Sequence, residues 1–186
     1  PTIVNITVTS INDAPTATAQ TLSTAEDTPL SLTLAGIDVD GTIGSYSHTS
    51  TTNGSLAGTV PNLTYTPNNN FNGSDSFTFT VTDNGDVASV STTINITVTS
   101  VNDLPSINMP ADQNVGVDLP VSLTATASDV DGTISGYQWA QTSGIDVTSS
   151  WTNANSQTAS FNSPITTATI TLSFTLTVTD NDGGQT

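Results

Sequence analysis

The acidic side chains of this sequence lie mainly in turns, beside Asn and Gly. Asp38-Val-Asp-Gly and Asp129-Val-Asp-Gly each place two carboxylates two residues apart, and Asn12-Asp13 and Asn102-Asp103 each stand shortly before a proline. Carboxylate, amide and carbonyl oxygens are the ligands that Ca²⁺ prefers, and the ion takes six to eight of them. The chemistry that these residue types could perform is therefore the binding of a hard divalent cation.

The charge balance supports the same interpretation. Lys and Arg are absent, whereas Asp and Glu total 16 and His48 is the single histidine. The acids must therefore meet water, backbone amides or metal cations. Without cationic side chains the chain cannot neutralise phosphate, so we expect neither nucleic-acid binding nor attraction to anionic membranes. General acidity for solubility or for high salt is the alternative explanation.

Several other classes of site are disfavoured by composition. Cysteine is absent, so we expect no disulfide framework, no thiolate metal site and no Cys nucleophile. No apolar run approaches the ~18 residues of a membrane span, which argues against direct membrane insertion. His48 has no Ser or carboxylate partner at a recognisable spacing. We therefore expect that the protein is not an enzyme.

Three segments recur in the same order along the chain, with offsets of 90, 91 and 97 residues. Conserved order and spacing indicate a tandem repeat of immunoglobulin size. The recurring pairs are Asn5-Ile-Thr-Val-Thr-Ser-Ile-Asn-Asp-Ala-Pro15 with Asn95-Ile-Thr-Val-Thr-Ser-Val-Asn-Asp-Leu-Pro105, Asp38-Val-Asp-Gly-Thr-Ile-Gly-Ser-Tyr46 with Asp129-Val-Asp-Gly-Thr-Ile-Ser-Gly-Tyr137, and Phe77-Thr-Phe-Thr-Val-Thr-Asp-Asn84 with Phe174-Thr-Leu-Thr-Val-Thr-Asp-Asn181.

Alternating apolar and polar residues predict short, half-buried strands throughout, and the fold class is all-β. Such strands separated by turns indicate two tandem seven-stranded Greek-key immunoglobulin-like β-sandwiches, with Trp139 in the second core. The predicted strands of the first repeat, A to G, are 16–22, 30–35, 42–47, 54–57, 63–66, 76–82 and 90–99. Those of the second are A at 106–115, B at 121–127, C at 135–141, E at 158–161 and F at 170–179.

The repeats are offset from the ends of the sequence by one strand. We predict that residues 1–13 are the final strand and linker of a preceding or neighbouring repeat. Residues 14–103 then form one complete repeat, and residues 104–186 form a second repeat without its last strand. Two explanations remain open: an excised period of a longer array, or a subunit that lends its first strand to a neighbour in a head-to-tail filament.

The acidic residues should converge at the ends of the sandwiches, because the B–C and F–G loops share one pole of a Greek key with the entering linker. The opposite pole of the first repeat holds Glu26, Asp27 and Asp75, which would complete the site around the exit linker. Asp118 would match Asp27 in the second repeat. The predicted ligands of the shared pole are Asn12, Asp13, Asp38, Asp40 and Asp83 in the first repeat, and Asn102, Asp103, Asp129, Asp131, Asp180 and Asp182 in the second.

The linker Val101-Asn-Asp-Leu-Pro, the Asp-x-Asp-Gly loop and the Thr-Asp-Asn-Gly turn resemble bacterial cadherin-like tandem repeats of large adhesins. The second repeat, with Tyr137-Gln-Trp-Ala-Gln-Thr-Ser-Gly and Thr177-Val-Thr-Asp-Asn-Asp-Gly-Gly, resembles the polycystic-kidney-disease-type (PKD) domain. These resemblances imply a secreted, cell-surface array with calcium at its junctions. Because Ser10 and Ser100 stand where that pattern has Asp, we expect fewer ions per junction than in animal cadherins.

Three functions compete. The leading hypothesis is a calcium-stiffened structural or adhesive spacer, whose partners are neighbouring repeats, with glycans or a host surface as adhesive targets. The second hypothesis is a self-assembling extracellular filament of identical subunits joined head to tail by strand exchange. The third is a carbohydrate-binding module, for which Trp151 is the only good candidate for an exposed, stacking aromatic side chain.

Overall fold

Strands that bury one face dominate this chain, because Thr, Val, Ile and Phe alternate with small polar residues. The computed structural model describes residues 1–186. One 3-10 turn, Thr148–Ser150, is the sole helical element, and no helix is long and apolar enough to cross a membrane. The strands are β1 (Thr16–Ala17), β2 (Gln20–Ala25), β3 (Leu30–Thr33), β4 (Gly36–Ile37), β5 (Ile43–His48), β6 (Gly54–Thr59), β7 (Asn62–Pro67), β8 (Gly73–Asp83), β9 (Thr92–Thr99), β10 (Ser106–Asn108), β11 (Pro120–Thr124), β12 (Thr126–Ser128), β13 (Ile134–Ser143), β14 (Thr158–Asn162) and β15 (Ser173–Asp180).

The chain divides into two compact units, Pro1–Val101 and Asn102–Thr186. The predicted boundary after Asp103 lies next to this division. Residues 1–15 form no strand and are grouped with unit 1.

Unit 1 is built from two main sheets. One has the order β2-β9-β8-β5, with β2 parallel to β9 and the other pairs antiparallel, and the second has the order β3-β7-β6. Both sheets contribute to one core, in which Phe79 and Ile96 from the first sheet are buried together with Leu63 and Tyr65 from the second. This is a β-sandwich, as the alternation predicts.

Unit 2 has a smaller set of paired strands: β13 with β15, β11 with β14, and β10 with β12. Trp139 on β13 is 4% exposed, and its Nε1 donates to the carbonyl oxygen of Ser156 at 3.1 Å. Trp151 is half-buried and packs against Phe161 and Phe174, with ring centroids 6.2 and 5.7 Å apart. The prediction of Trp139 as a core residue is confirmed.

The all-β prediction is confirmed, and the largest difference from the predicted strands is in strand A of the second repeat. Strand A of the second repeat was predicted to reach Val115, whereas β10 ends at Asn108 and residues 109–119 form no strand. In unit 1 the corresponding strand β2 is held by parallel pairing with β9. Unit 2 has no strand in the place of β9, so its A segment lacks the partner that would make it a strand.

Candidate cation-binding turns

The entering linker of unit 1 is hydrogen-bonded to two loops of the same unit. Asn12 Nδ2 donates to Asp83 Oδ2 at 2.8 Å. The backbone N–H of Asp13 lies 3.3 and 3.2 Å from Oδ1 and Oδ2 of Asp40. Asp40 in turn donates its backbone N–H to Asp38 at 3.5 Å. The five residues predicted for this pole are therefore joined by hydrogen bonds.

Asp83 ends strand β8 and organises the turn that follows it. Its Oδ1 accepts the backbone N–H groups of Gly85 and Val87 at 2.8 and 2.9 Å, a local bonding pattern that Asp commonly provides in turns. The hydrogen bond from Val87 and, less strongly, the one from Asn12 lower the pKa of this carboxyl, although burial opposes the shift. Asp83 is therefore a charged residue that holds the linker and the turn together.

Asp38 differs from Asp83 because one of its oxygens has no partner. Oδ2 of Asp38 is buried and accepts no hydrogen bond. A Cβ placed on Gly41 would lie 2.5 Å from this oxygen and 2.5 Å from Oδ1 of Asn84, so glycine lets both oxygens converge on the turn. Asn84 was not among the predicted ligands. Its position directly after Asp83, repeated by Asn181 after Asp180, was the available signal.

Unit 2 repeats the arrangement. Asn102 Nδ2 donates to Asp180 Oδ2 at 2.9 Å, and the backbone N–H of Asp103 donates to Asp131 Oδ2 at 3.3 Å. Oδ1 of Asp180 accepts the backbone N–H groups of Asp182 and Gly184, each at 2.8 Å. The hydrogen bond from Asn102 is the main cause that lowers the pKa of Asp180, which is 1% exposed.

Asp129 has the fewest hydrogen-bond partners of the buried carboxylates of unit 2. Both of its carboxylate oxygens are buried without a hydrogen bond of ordinary length. Burial raises its pKa first, and the adjacent carboxylate of Asp131 raises it further, whereas the backbone N–H of Asp131 opposes the shift only weakly. A cation between the two carboxylates would remove both penalties, and the chain has no Lys or Arg to supply one.

Asn181 and Asp182 complete the second cluster. Asn181 Oδ1 accepts the backbone N–H of Thr133 at 2.6 Å, and its Nδ2 donates to Asp182 Oδ2 at 2.6 Å. A Cβ on Gly132 would collide with the side chains of both Asn181 and Asp129. In the second cluster, as in the first, a glycine leaves the space in which an Asn oxygen and an Asp oxygen come close together.

Glu26 and Asp27, predicted for the opposite pole, both accept backbone hydrogen bonds within unit 1. Glu26 is 4% exposed; its Oε1 accepts the N–H of Val101 at 2.5 Å, and its Oε2 is buried without a partner. Asp27 has a left-handed backbone, with φ of 54°, and accepts the N–H of Asn70 at 3.1 Å. Asp118 has a φ of 56°, which agrees with its predicted equivalence to Asp27.

Asp75 has a different environment from these two residues. It is 7% exposed, and its two oxygens accept four hydrogen bonds, from the Tyr65 hydroxyl and from the backbone N–H groups of Thr52, Asn53 and Ser76. Burial, and then the Asp75 carboxylate, raise the pKa of Tyr65 above its ordinary value. The structure thus gives Asp75 a fold-stabilising role, with both oxygens already engaged.

No three Asp, Glu or His side chains are arranged as a ready metal site. Asp83 and Asp180 direct both oxygens to amide donors, whereas the Asp38–Asp40 and Asp129–Asp131 pairs include buried oxygens without a partner. The donor set consists of hard oxygens, and the unpartnered oxygens of Asp38 and Asp129 fit a hard cation. Any further ligands would be amide oxygens, backbone carbonyls or water.

Two family models match adjoining parts of the chain. Residues 12–99 match the family described as bacterial Ig domain, and residues 111–186 match a PKD domain family. No curated protein matches the chain.

Several solved structures are similar over most of this chain. An endo-fucoidan hydrolase of glycoside hydrolase family 107 is 25% identical, with 93% of this chain and 27% of that chain covered and a TM-score of 0.38. Drosophila N-cadherin EC1-3 is 13% identical, with 94% and 65% covered and a TM-score of 0.36. The Yersinia pseudotuberculosis adhesin InvE is 15% identical, with 92% and 56% covered and a TM-score of 0.36. TM-scores this low establish neither the fold nor the function of this chain.

Proposed function

Because this chain consists of two tandem immunoglobulin-like repeats, the first of the bacterial Ig kind and the second of the PKD kind, we propose that it is a non-catalytic spacer of a secreted cell-surface protein. In this proposal a calcium ion binds the acidic turns at the entry of each repeat and stiffens the linker there. Other parts of the assembly would bind adhesive targets such as glycans or a host surface.

The observation that carries the cation proposal is the environment of Asp129. Both of its oxygens are buried without a hydrogen bond of ordinary length, and the carboxylate of Asp131 raises the pKa of Asp129 further. Such an arrangement destabilises the folded unit at neutral pH unless a cation lies between the carboxylates. Asp38, at the matching position of unit 1, also has a buried oxygen without a partner.

The hydrogen bonds of the linker explain how a bound ion would act on it. Asp131 accepts the backbone N–H of Asp103, and Asp40 accepts that of Asp13. An ion that fixes Asp131 or Asp40 therefore also fixes the backbone of the residue that enters the repeat. The bonds of Asn102 to Asp180 and of Asn12 to Asp83 hold the neighbouring linker residue. A bound ion would thus restrict the linker through the hydrogen bond between the ion-binding Asp and the linker backbone.

The number of ions follows from the ligands that remain. Because Asp83 and Asp180 are saturated by amides and Ser10 and Ser100 add no charge, each cluster has one Asp-x-Asp pair with a buried oxygen that lacks a partner. We therefore propose one ion per cluster. Asp75 takes no part, because its oxygens are engaged inside unit 1.

Calorimetric titration of the chain with Ca²⁺, together with thermal unfolding in calcium and in EDTA, tests the proposal. At about 100 times the dissociation constant, one ion would stabilise a unit by about 2.7 kcal/mol, or roughly 10–20 °C in melting temperature. Asp129→Asn should abolish the response of unit 2. Asp112→Asn removes the same charge from an exposed position and is the matched control. No heat and no shift in the wild type would overturn the proposal.

The carbohydrate-binding alternative has less support from its candidate residue. Trp151 was expected to be exposed, but it is half-buried and stacks on Phe161 in the core of unit 2. The ring face that stacks on Phe161 is therefore not open to a sugar.

A filament built by strand exchange is the second candidate function. The observation that favours it is that residues 5–10 repeat the sequence of residues 95–100 on β9 but form no strand, and Ile6 and Val8 are exposed. Electron microscopy of the concentrated chain tests this candidate: filaments are expected, and particles of monomer size alone would contradict it.

A further inference from the structure

The outer edge of β5 carries backbone groups without partners. β5 is the last strand of the sheet β2-β9-β8-β5 and pairs only with β8. Tyr46 lies opposite Val81, whose backbone N–H and C=O bond to Ser89 on the side of β8 away from β5. Because the direction of these groups alternates along a strand, those of Tyr46 and of His48 point away from β8. Neither N–H has an acceptor within the chain.

In unit 2 the chain itself covers the corresponding edge. Trp139 on β13 stands where His48 stands on β5, two residues after the tyrosine that follows the repeated Asp-Val-Asp-Gly segment. Its backbone N–H donates to the carbonyl oxygen of Ala154 at 2.9 Å. Ala154 belongs to the connection 144–157 between β13 and β14, whereas only residues 49–53 connect β5 to β6. The edge therefore accepts backbone hydrogen bonds in unit 2, and the shorter connection of unit 1 leaves it uncovered.

β5 also lacks the features that protect an exposed edge. Charged side chains and proline usually prevent such an edge from pairing with another chain. Residues 44–52 contain no acid, no lysine and no proline. The β-bulge between Ile43 and Ser45 interrupts regular pairing only at the start of the strand. Tyr46 and His48 thus remain two adjacent positions at which a further strand can bond.

We propose that β5 of a second copy of the chain pairs antiparallel with this edge, so that two copies of unit 1 join their sheets. The pairing is centred on Ser47, with Tyr46 of each copy opposite His48 of the other. Each of these two pairs exchanges two backbone hydrogen bonds, and a two-fold axis relates the copies. The contact lies within unit 1 and needs no cation, so it adds a lateral association to the proposed spacer.

Shape and charge favour a second copy in this orientation. Because the two bonding positions match each other, the edge is complementary to itself. The chain carries 16 acids and no Lys or Arg, so two copies repel each other wherever acidic surfaces meet. Residues 41–52 contain no acid, and Asp40 lies just before β5. Antiparallel pairing places the two Asp40 side chains at opposite ends of the ladder, whereas parallel pairing would place them side by side.

A pair of charge variants tests the pairing. Ser45 and Ser47 are exposed and lie on the same face of β5. Ser47→Asp places two carboxylates directly opposite each other in the dimer, whereas those of Ser45→Asp are separated by about 13 Å along the ladder and are screened by salt. In sedimentation velocity of the full chain in EDTA, we expect Ser47→Asp to weaken dimerisation about tenfold and Ser45→Asp to change it little. Equal dissociation constants of the two variants overturn the proposal. A wild type that stays monomeric up to about 1 mM also overturns it and leaves the edge to a strand of another protein.

A backbone variant tests the hydrogen bonds themselves. His48→Pro removes the outward N–H, whereas His48→Ala removes the side chain and keeps the N–H. Proline is tolerated on an edge strand where the N–H faces solvent, and circular dichroism melting checks that unit 1 remains folded. We expect His48→Pro to weaken dimerisation about tenfold or more, because two symmetry-related bonds are lost, and His48→Ala to weaken it less. A folded His48→Pro variant that dimerises as well as His48→Ala overturns the proposal.

Cross-linking tests the register. Opposite residues that share no hydrogen bonds have Cα atoms about 4.5 Å apart, which suits a disulfide. The chain has no cysteine, so oxidised Ser47→Cys should give a disulfide-linked dimer, and Ser45→Cys, which is out of register, should give little. Equal yields from the two variants, or a dimer from Ser45→Cys alone, overturn the proposed pairing. Because these measurements are made in EDTA, a failure of the chain to bind Ca²⁺ contradicts the proposed function and leaves this pairing intact.

Discussion

Replacing Tyr65 with Phe removes one hydroxyl from the core of unit 1 and leaves the ring in place. The residue has no exposed surface, and its hydroxyl donates to Asp75 Oδ2 at 2.9 Å. Three backbone N–H groups, from Thr52, Asn53 and Ser76, also bond to this carboxylate. The substitution therefore removes one of four donors from a buried negative charge and tests whether Asp75 stabilises the fold or serves a cation.

The expected cost follows from the kind of hydrogen bond that is lost. A hydrogen bond to a charged group contributes about 1.5–3 kcal/mol, and we expect Tyr65→Phe to lower the free energy of unfolding of unit 1 by that amount. With a urea dependence of about 1.5 kcal/mol per molar, the unfolding midpoint should fall by roughly 1–2 M. Tyr46→Phe, at a half-buried position of β5 that no buried carboxylate engages, is the control.

Urea unfolding followed by amide resonances of β8 reports unit 1, while the fluorescence of Trp139 and Trp151 reports unit 2 as an internal reference. We expect the loss in unit 1 to be the same in calcium and in EDTA, with unit 2 unchanged. A loss below about 0.5 kcal/mol would refute the assigned role of the hydrogen bond. A loss that calcium alters would show that Asp75 is coupled to a cation site.

Three further predictions concern the acidic turns. Asp129→Asn should raise the melting temperature of unit 2 in EDTA at pH 7 and lower it in calcium, because burial and Asp131 raise the pKa of Asp129 and so penalise its charged form. Asp83→Asn should make the free energy of unfolding of unit 1 less dependent on pH in the acid range. The lowered pKa of Asp83 stabilises that unit above the unfolded-state pKa of about 3.9, and this stability is lost as the pH falls through the folded-state pKa. Gly184→Ala should break the bond of Asn102 to Asp180, because a Cβ at this position would collide with both side chains, and so broaden or shift the Asn102 amide resonances.

Each of these predictions has a clear contrary result. Thermal melts would contradict the first if Asp129→Asn destabilised unit 2 in EDTA. The second would be wrong if wild type and Asp83→Asn lost stability equally between about pH 5 and 2. Unchanged Asn102 resonances in Gly184→Ala would show that the glycine is not needed for the linker contact.

The convergence of the entry-pole residues could be predicted from the sequence. Repeats of Asp38-Val-Asp-Gly and of Thr-Asp-Asn, together with the Greek-key rule that alternate loops share a pole, were enough to place Asn12 beside Asp83. The prediction depended only on strand order, which alternation reveals well. It did not need the details of side-chain packing.

The role of Asp75 could not be predicted in this way. In sequence it is one more Asp after a Gly and a Ser, but Tyr65 meets it from the other sheet of unit 1. A contact of that kind depends on how the two sheets pack, and the local sequence pattern does not indicate it. The extent of strand A in unit 2 was overestimated for a similar reason: the prediction continued it to Val115, but a parallel strand forms only beside its distant partner.

Stiffening of the linker by calcium can be measured directly. Because the native chain has no cysteine, spin labels can be placed at Ser31→Cys in unit 1 and Ser122→Cys in unit 2, two exposed strand positions. Electron-electron double resonance then gives the distribution of distances between the two labels. We expect calcium to narrow this distribution relative to EDTA, and Asp129→Asn to prevent the narrowing. Equal widths in calcium and EDTA would contradict this expectation.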